Sequence, residues 1–195
     1  MKNKVTASIL VAIISNFLAC SQSGENKTPV SNSTSSDSQI FFNVNNAAQK
    51  YMIAARQHKG DIAIEYVYPK IFSLIYERNK NRFKSTDEVK IFYKNELNEV
   101  LDDMPNVDYY MSYQLDTILK KIIVNQDIIL IRAKSTLKTN AKDINGKRVE
   151  LSLPDTMIGV SYNKGIHWYF INKGEMIEEA LRLEFSDSDV SSLLE

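Results

Sequence analysis

Residues 149–172 constrain the chain most. Two runs, Thr156-Met157-Ile158-Gly159-Val160-Ser161-Tyr162 and Ile166-His167-Trp168-Tyr169-Phe170-Ile171-Asn172, are separated only by Asn163-Lys164-Gly165. Both are rich in β-branched and aromatic residues, which suit a half-buried pleated surface. A three-residue connection ending in glycine supplies the positive-φ position that a short hairpin needs. The stretch therefore reads as the last two strands of a sheet. It holds the only tryptophan, and the segments before it are patterned to cover its apolar face.

The period of those earlier segments changes once. Up to Pro105 it is close to 3.6. Asn43 or Asn45 can cap a helix running to about His58, with Ala47, Ala48, Tyr51, Met52 and Ala55 on one side and Gly60 as its stop. A second segment starts at Asp61, is interrupted by Pro69 and continues its apolar face through Ile71, Phe72 and Ile75. Ser85-Thr86-Asp87-Glu88 is a capping box. After it Val89, Phe92, Tyr93, Leu97, Val100, Leu101 and Met104 recur at helical spacing until Pro105 ends the run.

Beyond Pro105 the period is 2. Tyr109, Met111, Tyr113, Leu115, Thr117 and Leu119 alternate with Tyr110, Ser112, Gln114, Asp116 and Ile118, and Ile129, Ile131, Ala133, Ser135 and Leu137 alternate with Arg132, Lys134, Thr136 and Lys138. Asn125-Gln126-Asp127 and Asn145-Gly146 are turns. Val149, Leu151 and Leu153 stand in odd register but Ile158, Val160 and Tyr162 in even register, which predicts a bulge or bend near Pro154-Asp155 that would curl the sheet. A last helix is expected at about 175–185. The fold class is α+β: N-terminal helices on the concave face of a strongly curved antiparallel sheet of four or more strands, closed by a C-terminal helix.

At 195 residues and 44% hydrophobic content, the chain can bury one ordinary core. Its appendages lie at the front. Residues 1–19 form a basic start, Met1-Lys2-Asn3-Lys4, and an apolar run too short to span a bilayer, which together read as a secretory signal peptide. Cys20, the single cysteine, sits where cleavage would fall and excludes an internal disulfide. Residues 20–38 are rich in serine and almost free of apolar side chains, so they read as a flexible tether ahead of a domain at 39–195. Acidic and basic residues balance at 24 each, and losing Lys2 and Lys4 with the leader leaves a small acidic surplus. Nucleic acid is accordingly not an expected partner.

Phe17-Leu18-Ala19-Cys20 resembles the lipobox of bacterial lipoproteins. The resemblance implies that Cys20 becomes the acylated first residue of the mature chain, a palmitate-type membrane anchor. Ser21 after it implies the outer membrane of the cell envelope, facing the periplasm or the surface. The order of elements over residues 44–173, with Lys59-Gly60-Asp61, Tyr68-Pro69-Lys70-Ile71-Phe72 and Trp168-Tyr169-Phe170-Ile171-Asn172, is similar to small bacterial proteins of the nuclear transport factor 2-like superfamily. That resemblance implies a cone whose sheet wraps the helices and often leaves a pocket. Some members are isomerases or dehydratases, and many are non-catalytic.

Such an enzyme would hold a buried carboxylate beside tyrosine hydroxyls. Tyr66, Tyr109, Tyr113, Thr117, Ser135 and Trp168 are the candidate pocket-lining residues, whereas the alternation sends Asp116 outward and leaves no evident inward carboxylate. No catalytic set, metal site or cofactor is expected. His58 closes a helix, and His167 faces water if Ile166, Trp168 and Phe170 face the core. Two lone histidines do not make a metal site. The expected function is a lipid-anchored, non-catalytic envelope protein that binds a small apolar ligand or a protein partner. The alternatives are a cofactor-free isomerase, dehydratase or hydrolase, or an accessory docking subunit.

Overall fold

A computed structural model describes residues 35–99, 107–142, 147–172 and 176–195. Residues 1–34, Cys20 among them, and the Asn145-Gly146 turn lie outside the described residues. The chain is α+β. Helices α1 (Ser35–Arg56) and α2 (Gly60–Ala63), a 3-10 turn η1 (Ile64–Tyr66), α3 (Pro69–Arg78) and α4 (Thr86–Glu99) come first. Strands β1 (Val107–Ile123), β2 (Ile129–Lys142), β3 (Arg148–Ser161) and β4 (Tyr169–Asn172) follow, and α5 (Ile177–Arg182) and α6 (Asp187–Leu194) close the order. The sheet is antiparallel, open, and ordered β1-β2-β3-β4, the meander that short turns between alternating runs predict.

Helix α1 starts inside the stretch expected to be tether, and neither Asn43 nor Asn45 caps it. Both amides point sideways instead. Asn43 Nδ2 donates to the Gly165 carbonyl at 2.9 Å, and Asn45 Oδ1 accepts from the Leu115 amide at 3.0 Å. The helix ends in a Schellman turn, with Lys59 N donating to Ala54 O and His58 at φ 54, where glycine is usual. The Gly60 requirement has another cause: a Cβ there would lie 2.5 Å from the Lys94 carbonyl, so a side chain would push α4 away. Ser85 caps α4 by accepting from Glu88 N, and the Glu88 carboxylate reaches back to Lys84 N. Helix α6 escapes a periodicity reading because Asp, Ser and Leu share its eight residues. Ser186 caps it by accepting from Asp189 N, and Val190 and Leu193 are fully buried.

The register change expected near Pro154-Asp155 has a different origin. β2 and β3 pair without interruption from Ile129↔Ser161 to Lys142↔Arg148, so no bulge lies there. Ile158 and Val160 are apolar because the second sheet face is also covered at that end. α6 packs on β1 and β2, its Val190 and Leu193 sharing one core with Leu130, Val160 and Ile171. The irregularities lie in β1, where the pairing shifts between Asp108 and Met111, between Leu115 and Thr117 and again between Ile118 and Lys120. Asp116 and Leu119 are the extra residues at the second and third.

Each edge of the sheet is occupied in part. Along β1, Asn45 and Gln49 of α1 bond to the Leu115 amide and the Tyr113 carbonyl. Along β4, Val67 makes a parallel bridge to Phe170, and Tyr68 N donates to Phe170 O at 3.0 Å. At these positions, pairing groups that could template another strand are taken up within the chain.

Candidate functional site: a ribbon of rings at the β3–β4 turn

The connection between β3 and β4 is longer than a three-residue hairpin, because polar side chains fold it onto itself. Ser161 Oγ accepts from Gly165 N at 3.0 Å, and Asn163 Oδ1 accepts from His167 N at 2.7 Å. Lys164 and Gly165 both take positive φ, 60 and 81 degrees. The turn drives Trp168 inward until it is 0% exposed, with its indole N–H donating to Gly165 O at 2.9 Å. Gly159 is required beneath it, since a Cβ there would meet Ile131 Cγ1 at 2.9 Å and the indole at 3.2 Å.

The candidate interior residues separate accordingly. Tyr113, Ser135 and Trp168 are 8%, 1% and 0% exposed, so they are core members packed on every side. The Tyr113 hydroxyl donates to Met157 Sδ at 3.2 Å, and burial pushes its pKa up. Thr117 is exposed: the bulge at Asp116 rotates it to the opposite face from Tyr113 and Leu115. The side chain of Tyr109 lies outside the described residues. A carboxylate that alternation had not assigned to this face does lie on it. Asp155 is half-buried in the same cross-strand row as Leu115 and Ser135, near enough to Tyr113 to oppose its ionisation. It is already partly engaged, with Oδ1 accepting from Thr156 N at 2.7 Å.

Tyr66 belongs to a different assembly. It stacks on His167 with centroids 5.8 Å apart and rings inclined by 21 degrees. His167 meets Tyr169 edge-on at 4.8 Å, and Tyr169 meets Tyr162 edge-on at 5.8 Å. All four rings are partly exposed, so His167 is sandwiched between rings rather than simply facing water. Tyr51 and Phe170, both buried, stack at 6.0 Å and anchor the Tyr66 end to the core.

The other end terminates on a carboxylate. Glu184 Oε2, in the connection between α5 and α6, accepts hydrogen bonds from the Tyr162 hydroxyl at 2.5 Å and the Tyr68 hydroxyl at 2.8 Å. Tyr68 is fully buried, so this carboxylate is the partner its hydroxyl requires. Burial first, and the shared hydrogen bonds next, raise the pKa of Tyr68 well above the usual phenol range. Tyr162 moves in the same direction, again chiefly through burial. These hydroxyls therefore act as donors, not as bases.

Tyr66 and Trp168 stand among the pocket-lining candidates, whereas Tyr162, Tyr169 and Glu184 do not. Val160↔Tyr169 pairing puts Tyr162 and Tyr169 side by side, a contact that the strand register would have shown. Nothing local marks Glu184, whose partners are 22 and 116 residues away. No family model, curated protein or solved structure matches the chain.

Proposed function

We propose that the chain is a lipid-anchored protein of the bacterial cell envelope, held through Cys20, whose α+β domain is a non-catalytic docking module for a protein partner. The observation that carries the docking reading is the ribbon Tyr66-His167-Tyr169-Tyr162: four partly exposed rings fixed at one end by the core and at the other by Glu184. Tyrosines that are already immobilised give a partner large contact area at small entropic cost, and they are enriched among residues that dominate interface energies. Ile166, 71% exposed beside the ribbon, extends its apolar margin. A small apolar ligand is less well supported, since Tyr113, Ser135 and Trp168 leave no accessible space against themselves.

The kinship with nuclear transport factor 2-like proteins belongs to the same proposal. Its support is the helices-then-meander order, together with three register shifts in β1 of the kind that curl a sheet.

The test places a photo-crosslinking residue at position 166 in cells, with a matched one at exposed Lys90 on α4. A discrete envelope-protein adduct at 166 alone, lost on Tyr169→Ala, is expected. Equal adducts at both positions would end the docking reading. Anchoring is read separately: Cys20→Ser should release the protein from the membrane fraction and abolish the acyl mass on the N-terminal peptide.

One observation favours a second reading, a cofactor-free isomerase, dehydratase or hydrolase. Asp155 shares a row with Ser135 beside Tyr113, the kind of carboxylate–phenol set such chemistry uses. It requires a turnover by the wild-type protein that Asp155→Asn abolishes without unfolding the domain.

A further inference from the structure

The second face of the sheet is covered by α6 only at its Leu130–Val160 end, and what lies beyond is an exposed polar surface. Continuous β2–β3 pairing and the shifted β1 register set its side chains in rows. Lys120 stands opposite Arg132, and the next row is Thr117, Lys134 and Thr156. Two residues further along, Gln114, Thr136 and Pro154 form a row, followed by Ser112, Lys138 and Ser152. Alternate rows lie about 7 Å apart and neighbouring strands about 4.8 Å apart, so four cations and five hydroxyls share a patch of about 20 by 10 Å.

The patch is unbalanced in charge. Lys120 and Lys134 have no ion-pair partner among the described residues. Arg132 donates from Nη1 to the Leu194 carbonyl at the end of α6, and its buried Nε has no hydrogen-bond partner. The acidic residues that the register sets on or beside these rows are Asp116, which already accepts from Thr136 Oγ1 at 2.7 Å, Glu150, 3.7 Å from Lys138 Nζ, and Asp108, in the same row as Glu150. Among the described residues Leu119, 44% exposed at the irregularity in β1, is the large aliphatic beside these cations, and a single such side chain at the margin does not make the apolar centre of a protein interface. The surface fits a flat, polyanionic partner.

We infer that this face, built on Lys120, Arg132, Lys134 and Lys138, rests on the anionic phospholipid headgroups of the membrane. The choice of lipid over other polyanions rests on the anchoring reading given above. Whatever its conformation, the fifteen-residue segment 20–34 spans at most about 50 Å, which keeps a domain anchored at Cys20 within reach of the bilayer. Cations near such a surface are attracted within about a Debye length, and these four stand on one face of the sheet.

The experiment uses the chain from residue 20 onward with Cys20→Ser, which keeps every described element and cannot be acylated. Co-sedimentation is measured with vesicles of phosphatidylethanolamine and phosphatidylglycerol, and with vesicles of phosphatidylcholine alone. Binding to the anionic vesicles only, weakened by salt and reduced about tenfold or more by Lys120→Ala with Lys134→Ala, is expected. The paired change Lys80→Ala with Lys90→Ala, on lysines that already face Glu77 and Asp87, should leave binding unchanged. Equal binding to both vesicles, an undiminished double variant, or binding to a soluble sulfated glycan without vesicle binding would overturn the inference. Because the chain is unacylated, failure here leaves the Cys20 reading intact. Failure of Cys20 acylation leaves a positive vesicle result standing.

Discussion

Replacing Glu184 tests whether the C-terminal helices are held to the sheet by one shared carboxylate. Its Oε2 accepts from Tyr68, which is fully buried, and from Tyr162, which is partly exposed. In Glu184→Ala the Tyr162 hydroxyl regains water, but that of Tyr68 does not, and a buried orphaned donor costs about 1–3 kcal/mol. Tyr68→Phe removes the donor itself and leaves the carboxylate with Tyr162 and solvent, at about 0.5–1.5 kcal/mol. The two losses share one contact. In the Tyr68→Phe background, therefore, Glu184→Ala should cost little, which gives a coupling energy of about 1–3 kcal/mol. Urea unfolding followed by the fluorescence of Trp168, the only tryptophan, reads all four corners of the cycle, provided the dependence on denaturant is unchanged. Losses that simply add, within about 0.5 kcal/mol, would show that the bond between Tyr68 and Glu184 is incidental and that the helix pair is held by packing alone.

Two further outcomes follow from close packing and from burial. Gly60→Ala should lower stability by about 1–3 kcal/mol, because its Cβ would meet a backbone carbonyl of α4 that no rotamer change can move; a melting temperature within error of wild type would refute the reason given for this glycine. Raising the pH should leave stability unaffected by the tyrosines until about 10, then reduce it steeply. Tyr68, Tyr93, Tyr113 and Tyr162 ionise at their ordinary value only in the unfolded chain, and burial raises them in the folded one, so the unfolded state sheds its protons first. Phenolate absorbance should show part of the ten tyrosines titrating only as the protein unfolds, whereas ten titrating together without unfolding would contradict it.

The meander was legible because period-two alternation is a local signal and its turns are short. Asn125 does form the expected turn, its side chain accepting from Asp127 N and Ile128 N. The Ser85 cap was legible for the same reason. What escaped was non-local. The extra residue Asp116 carries no mark in the sequence, yet it turns Thr117 outward. Ile158 and Val160 looked like a change of register because the helix that covers them lies thirty residues further on and is too polar to announce itself. The ring ribbon draws on η1, the β3–β4 turn and the α5–α6 connection, so no window of sequence contains it.

The way α1 lies against β1 also governs how the domain would yield to a pull on its N-terminus. Taken from that end, the attachments meet the load one after another: Asp37 to Lys121, Asn43 to Gly165, Asn45 to Leu115, then Gln49 to Tyr113. Such a series opens like a zipper, with tension borne by a single contact at a time rather than shared among four. Drag on the N-terminal end would thus peel α1 before it disturbs β2 or β3. Once the third and fourth contacts have gone, the Leu115 amide and the Tyr113 carbonyl are bared, and load on the N-terminal end has become exposure of a strand edge.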